Sequence, residues 1–334
     1  MALALTDMVV GQADKVVQQV IEEFIRNSEI LELLPFDNAV SPTGGSTLVY
    51  GYVQEKTPST ASFRAIGSEY EGNEAKIKDL VAKLKIFGGK FTIDRVLKTV
   101  EGKLQNMDYQ LKQKILASVQ LFHDTMINGD SAVNSLAFDG LDKFLVGTKN
   151  EMNTDSYIDL SDITKLKENA DQFYEMLLTL INRTGADAIL VNEQLKTKIQ
   201  TVARTLGYKT ESEESFGRVV TKIGERGVRI IDLGNKVSVS SDGNETVTET
   251  PIIGKFTRTV GGSEVTGLTD IYAVKFDVHK GFTGVTIQGD KIIETYLPDF
   301  KTPGAVKDGE VEMVACVVLK STNKAGVLRN IKVA

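Results

Sequence analysis

A chain of 334 residues exceeds the roughly 250–300 at which a single hydrophobic core stops growing, so two lobes are expected. Hydrophobic residues at 41% and charged residues at 25% describe a chain that folds in water, which excludes a disordered, collagen-like or disulfide-stapled protein. With 39 Lys plus Arg against 45 Asp plus Glu the formal net charge is −6, and the broad basic footprint of a duplex-DNA reader is missing.

The opening Met1-Ala-Leu-Ala-Leu-Thr-Asp7 has no basic segment and meets an acid after a short apolar stretch, unlike a secretory signal. No run approaches the ~18 apolar residues of a membrane span. Val16, Val17, Val20, Ile21, Phe24 and Ile25 recur at three and four, predicting an amphipathic helix from about Gln12 that stops near Leu34-Pro35. From Ser46 to Ile93 the texture is that of strands. Thr47, Val49, Tyr50 and Tyr52 lead into the turn-rich Lys56-Thr-Pro-Ser-Thr60, and the stretch from Gln54 to Ala75 is thin in apolar residues. A protruding hairpin from about Ser46 to Ile66 is predicted, and a long two-stranded ribbon persists in water only when something packs on it.

Leu104, Met107, Leu111, Ile115, Val119, Phe122 and Met126 form the longest helical stripe, predicting a helix from about Glu101 to Ile127 with Asn128-Gly129 as its stop. Such a helix would run roughly 40 Å. Beyond Phe138-Asp-Gly-Leu141 the pattern becomes helix, strand, helix. The stripe Ile163, Leu166, Ala170, Phe173, Leu177 and Leu180 precedes Ala188-Ile-Leu-Val191, and Leu195, Ile199, Val202 and Leu206 follow. Gly185 and Gly207 sit where C-terminal caps belong, with Ser161 and Asn192 as N-caps. The remainder is strand-rich, over residues 218–223, 228–233, 271–276, 284–296, 311–319 and 327–333. The fold class is α+β, with late segments returning to earlier lobes.

Catalytic chemistry finds little footing. His123 precedes Asp124 on the long helix, but neighbours at i and i+1 do not face each other, and a histidine on the helix's polar face is expected. His279, in Asp277-Val-His-Lys-Gly281, reads as a turn residue with no second His or Cys at metal-ligand spacing. Gly262-Ser-Glu-Val-Thr-Gly267 has the glycine spacing of a phosphate loop but is followed by Leu268-Thr269 where Lys is required. The single Cys316, inside Val314-Ala-Cys-Val-Val-Leu319, cannot form an internal disulfide and reads as a buried thiol in a protein folded in the cytoplasm. No enzyme, cofactor or metal site is predicted.

The order of elements is itself informative: amphipathic N-terminal segment, protruding hairpin, very long helix, inserted α/β lobe, final return of strands. Together with Phe122-His-Asp-Thr-Met-Ile-Asn-Gly-Asp130 running into Phe138-Asp-Gly-Leu141, with Asp187-Ala-Ile-Leu-Val-Asn192, and with Ile271-Tyr-Ala-Val-Lys-Phe-Asp277 before Gly284-Val-Thr-Ile287, it resembles the tailed-bacteriophage major capsid proteins of the Hong Kong 97 type. The resemblance covers essentially the whole chain. It implies an N-terminal arm (1–40), an extended loop and its base (41–95), a peripheral domain with the spine helix (96–140 and 282–326) and an axial domain (141–281 and 327–334). The implied function is self-assembly, as hexamers and pentamers, into an icosahedral virion shell around double-stranded DNA, built in the bacterial host's cytoplasm.

No membrane and no sequence-specific DNA contact are implied, while portal and head-completion proteins are implied partners. Because the chain begins directly with the arm, a separate scaffolding protein is implied if assembly needs one. Glu55, Lys56, Arg64 and Glu69 on the hairpin are the expected inter-subunit contacts. Some relatives crosslink a loop lysine to a neighbour's asparagine, but no acceptor or assisting acid matches Lys56. Encapsulin shells, which enclose cargo enzymes, resemble the same fold and form the alternative.

Overall fold

The computed structural model describes residues 28–41, 43–57, 59–70, 72, 74–95, 107–208, 211–215, 218–224, 226–240, 247–287 and 293–334. The helix predicted from about Gln12 lies outside these residues up to position 27, and at its far end the chain starts a separate short helix, α1 (Glu29–Leu33), after the extended N-cap Ser28, so one helix does not run unbroken to Leu34; residues 101–106 of the long predicted helix lie outside them too. After α1 come β1 (Phe36–Ala39), β2 (Val49–Thr57), β3 (Lys76–Lys83), β4 (Lys85–Asp94), α2 (Met107–Asn128) and α3 (Leu141–Leu145). Next are β5 (Glu151–Met152), β6 (Ile158–Asp159), α4 (Ile163–Thr184), β7 (Ala188–Val191) and α5 (Glu193–Thr205). Then follow β8 (Glu211–Ser215), β9 (Arg218–Ile223), β10 (Val228–Asp232), β11 (Asn235–Val239), β12 (Val247–Pro251), β13 (Phe256–Val260) and β14 (Ser263–Val274). The last strands are β15 (Phe282–Ile287), β16 (Ile293–Tyr296), β17 (Val306–Leu319) and β18 (Ala325–Lys332).

Two large sheets organise this α+β chain. One joins β1, β15, β17 and β16, with β4 running antiparallel to β17 from Lys85↔Ala315 to Asp94↔Val306. The other runs β5-β18-β14-β7-β10-β9-β8, with β13 on β14 and β6 on β18. Strand β7 lies inside it and is buried on both faces, which is why its sequence is a continuous apolar run rather than an alternation. Ile189 and Val191 face the core formed with α4 and α5, whereas Ala188 and Leu190 belong to the core shared with α1, α2 and the first sheet. That second sheet therefore sits between two hydrophobic cores.

The stripe on α2 packs as its spacing requires, with Leu111, Ile115, Val119, Phe122 and Met126 all buried. Phe122 stacks on Phe87 of β4 at 5.9 Å and meets Phe138 at 5.9 Å, which fastens the helix to the first sheet. At its end the chain folds back on itself, and Gly140 N donates to Gly129 O at 2.7 Å. A Cβ on Gly129 would lie 2.2 Å from the Phe138 carbonyl oxygen, so only glycine admits this approach. Asp130 and Asp139, on either side of the turn, both bind the Lys143 ammonium, at 2.6 and 2.9 Å. The motif that carried the resemblance thus has a local physical role as the clasp at the end of α2.

Three expectations need correction. His123 does not occupy a polar helix face: it is 6% exposed, and its ring bridges two other elements. The α4 N-cap is Asp162, whose carboxylate accepts from Thr164 N and Lys165 N, while Ser161 instead donates to Asp159. Asp162 wins because a carboxylate at the positive helix end gains from the dipole as well as from the two amides. The partner of β2 is β3, so the hairpin extends to Lys83 rather than returning by Ile66. Asn192 and Gly185 do cap their helices as expected, Gly185 in the left-handed conformation at φ 63°.

A buried charged cluster ties β13, β14, β18, β5 and α3 together. Asp270 is fully buried and accepts two bonds from Arg258 at 2.7 Å each, one from Arg329 at 3.0 Å and one from Asn330 N at 3.1 Å. Arg329 also bonds Glu151 and Asp142, and Tyr272 donates its hydroxyl to Asp142 at 2.8 Å. Each buried charge here is met by an opposite one, the condition under which such groups are tolerated in a low dielectric.

Candidate functional site

Among the described residues the two most exposed apolar side chains, Phe63 and Ile66, are on the β2–β3 hairpin, which forms a sheet of its own two strands. Pairing runs from Val49↔Lys83 to Thr57↔Lys76, so the period of two separates its faces. Tyr50, Tyr52 and Ala82 pack against the core shared with the first sheet. The opposite face carries Val49, Val53, Ile77 and Val81, all exposed. In the connecting loop Phe63 and Ile66 are 107% and 106% exposed, beside a turn in which Ser68 N donates to Ala65 O and Gly67 takes φ 88°. A row of large apolar side chains along a projecting ribbon marks a contact surface rather than a core.

The ribbon's base is fixed by polar groups. The Tyr50 hydroxyl donates to Asp37 at 2.5 Å, and the Lys320 ammonium donates to Asp37 at 3.1 Å and to the Tyr50 oxygen at 2.6 Å. Gln54 Nε2 donates to Leu319 O at 3.0 Å. Partial burial works to raise the Asp37 pKa, but the bonds from Tyr50 and Lys320 and the lysine's charge outweigh it, and the net shift is downward from 3.8. Burial also pushes the neighbouring Tyr52 up to about 12.

A native pKa below the unfolded one means that Asp37 stabilises the fold fully above 3.8 and progressively less as pH falls through its lower native value. Asp37→Asn should therefore melt below wild type at neutral pH, with the gap narrowing below about pH 3.8. Melting curves between pH 7 and 3 check this, and a gap independent of pH would remove Asp37 from the clamp.

The four residues predicted as contacts all lie on this hairpin, but the structure spreads them along it. Glu55 and Lys56 are in β2, Lys56 at the register shift between Glu55 and Thr57, and their side chains lie outside the description. Arg64 turns back onto its own loop, donating to Ser68 O at 3.1 Å with its guanidinium 5.3 Å from the Tyr70 ring centre. Glu69 is exposed in the loop. Sequence reasoning passed over Val53, Phe63, Ile66, Ile77 and Val81. The alternation Val49-Tyr-Gly-Tyr-Val53 was the available signal, since a second face opposite the tyrosines follows from period two.

Ser28 Oγ and His123 Nε2 are 2.6 Å apart, a spacing that in an open cleft would suggest a nucleophile and its base. Ser28 is 1% exposed and caps α1, accepting from Leu31 N. The Leu233 carbonyl can only accept, so at 3.2 Å it takes the Nδ1 hydrogen and leaves Nε2 to accept from the Ser28 hydroxyl. The pair fastens α1 to α2 and to the end of β10, with both side chains nearly buried at the wall of a cleft that Leu233 also lines.

His279 sits in a turn with its amide donating to Asp277 at 2.8 Å. Cys316, paired opposite Val285, is buried, and burial pushes its thiol up to about 12. Among the described residues no three His, Cys, Asp or Glu side chains are grouped to hold a metal, and no helix is long and apolar enough to cross a membrane.

No protein-family model and no curated protein matches the chain. Its likeness is to solved structures. The SrpI encapsulin of Synechococcus elongatus PCC 7942 aligns with a TM-score of 0.51 at 14% identity, covering 91% of this chain and 87% of that one. A structure from Mycobacterium phage Ogopogo aligns at 0.52 and 16% identity, covering 91% and 92%. The capsid of the empty GTA particle aligns at 0.51 and 10%, covering 89% and 88%. At such identities the likeness is one of fold, and over nine-tenths of its length this chain has the Hong Kong 97-like capsid fold that its sequence resembled.

Proposed function

We propose that the chain is the major capsid protein of a tailed bacteriophage, assembling as hexamers and pentamers into the icosahedral shell that encloses the double-stranded DNA genome. The observation that carries this reading is the hairpin: on a capsid-type fold it projects an apolar face that the described residues of its own subunit leave uncovered. Heterologous contacts of that kind either close into rings or propagate. In this reading residues 1–40 are the arm and 41–95 the extended loop. The first sheet with α2 is the peripheral domain (96–140 and 282–326), and the second sheet with α4 and α5 is the axial domain (141–281 and 327–334). Glu55, Lys56, Arg64 and Glu69 lie within the contact between neighbours.

Synthesis and assembly take place in the host cytoplasm, with a separate scaffolding protein and with portal and head-completion proteins as partners. The net charge of −6 suits a wall that does not adhere to packaged DNA. No catalysis is required of it. Electron micrographs of the recombinant protein, alone or with its scaffold, should show closed shells, capsomer-sized rings or tubes; a protein that stays monomeric under all assembly conditions overturns the reading. The equal likeness to the SrpI encapsulin supports a second reading, a nanocompartment shell enclosing cargo enzymes. Particles from the native source holding a genome support the first, and particles holding an enzyme the second.

A further inference from the structure

We infer that Ser28, His123 and the Leu233 carbonyl form a proton-sensitive latch, which holds α1 against α2 and β10 and loosens in mild acid. The latch belongs to the single subunit, so it goes beyond the shell reading and does not depend on it. Residues 1–27 join the described fold at Ser28, and α1 is the first element they meet. One oxygen has two roles at this point. Ser28 Oγ accepts from Leu31 N at 3.1 Å as the cap of α1, and its own hydrogen goes to His123 Nε2 at 2.6 Å. Nδ1 gives its hydrogen to Leu233 O at 3.2 Å. Only the neutral imidazole with its proton on Nδ1 satisfies all three contacts.

A proton added at Nε2 turns that nitrogen into a donor. Ser28 Oγ must then accept from both Nε2 and Leu31 N, and its own hydrogen loses its acceptor on a side chain only 1% exposed. Solvent is close by, because Ser28, His123 and Leu233 line a cleft of about 400 Å³. The charged groups around the ring come from five elements. Glu29 of α1, Asp232 of β10 and Lys196 of α5 line the same cleft. Asp124 of α2 is paired with Lys236 of β11 at 3.2 Å, and Glu32 of α1 with Arg229 of β10 at 3.2 Å. Two cleft carboxylates against one ammonium temper the cost of an imidazolium without restoring the lost hydroxyl bond. Neutral histidine is the latched form, so the latch holds above the range in which histidine titrates and weakens as pH falls through it. Ile30, Leu31 and Leu34 are fully buried, so acid makes α1 open more often rather than expelling it. With an unfolded-state pKa of about 6.5, the gain in opening from pH 7.5 to 5.5 is at most about tenfold.

With only two histidines in the chain, the response can be assigned to one of them. Amide-exchange protection factors of residues 28–34 in the full-length protein should fall several-fold, up to about tenfold, from pH 7.5 to 5.5, while those of α4 hold. His279→Gln should keep this response, since that residue sits in a separate turn, and His123→Gln should abolish it. If His123→Gln does not fold, the imidazole nitrogen shifts of the wild type serve instead, expected to show at pH 7.5 a proton on Nδ1 and none on Nε2. Protection of residues 28–34 that does not change with pH overturns the inference, as does a loss shared equally by α4. So does a response that survives in His123→Gln, which would assign it to the carboxylates, or a proton found on Nε2 at pH 7.5.

Discussion

Excising residues 58–75 and closing β2 to β3 with an Asn-Gly turn will leave thermal unfolding of the isolated subunit unchanged and abolish its assembly. Thr57 and Lys76 are already opposite each other across the ribbon, so a two-residue turn closes it without altering register. The excised loop carries Phe63 and Ile66, which bury nothing in their own subunit, so its removal costs the fold no hydrophobic contact. If those side chains are anchors in a neighbour's surface, the shell loses contacts of the kind that dominate interface energy. A melting curve and a micrograph of the same variant decide it: outright unfolding makes the loop part of the core, and normal shells deny it any part in assembly.

Asp270→Ala is expected to destabilise the subunit by roughly 3–5 kcal/mol, the usual cost of removing one partner from a buried ion cluster. Two guanidinium groups, from Arg258 and Arg329, converge on this fully buried carboxylate, and without it Arg258 loses both of its carboxylate bonds while Arg329 keeps only Glu151 and Asp142. The loss is local in chemistry and global in effect, because the same cluster joins strands from both ends of the second sheet's sequence. Chemical denaturation of the variant beside Lys165→Ala, which breaks only the exposed Lys165–Glu168 pair, provides the contrast. Equal midpoints for the two would show that the cluster bears no stability.

The long helix was legible because a single apolar stripe on α2 meets a single large surface, and periodicity reports that directly. Caps at Asn192 and Gly185 were legible for a similar reason, since each acts on amides or carbonyls within a few residues. What failed was the reading of residues whose partners are distant. His123 sits one position from the stripe and is buried only because α1 and the end of β10 close over it, contacts 95 and 110 residues away in sequence.

The hairpin's far end was misjudged because Pro58 and the Ser/Thr cluster look like a turn, whereas β2 runs on to Thr57 and the irregular loop extends to Ala75. The small β11–β12 ribbon was missed although Asp242-Gly-Asn244 between Val239 and Val247 is an ordinary hairpin signal. Among the hairpin residues, charge drew notice to Glu55, Lys56, Arg64 and Glu69, while the exposed valines looked like any other strand.

The pairing of β1 with β15 sets a clock on biogenesis. Phe36 lies opposite Gly284, and β5 and β6 lie beside β18, so each sheet is completed by strands from distant parts of the chain. At roughly 5–20 residues per second, translation from β1 to β15 takes about 12–50 s, during which β1 waits without its partner. Helices α2, α4 and α5 and the local pairs of β7, β8, β9 and β10 can form on the ribosome, whereas neither sheet can be completed there. A nascent chain therefore exposes unpaired strand edges at β1, β5 and β6 for most of its synthesis, and both sheets are completed only at its end.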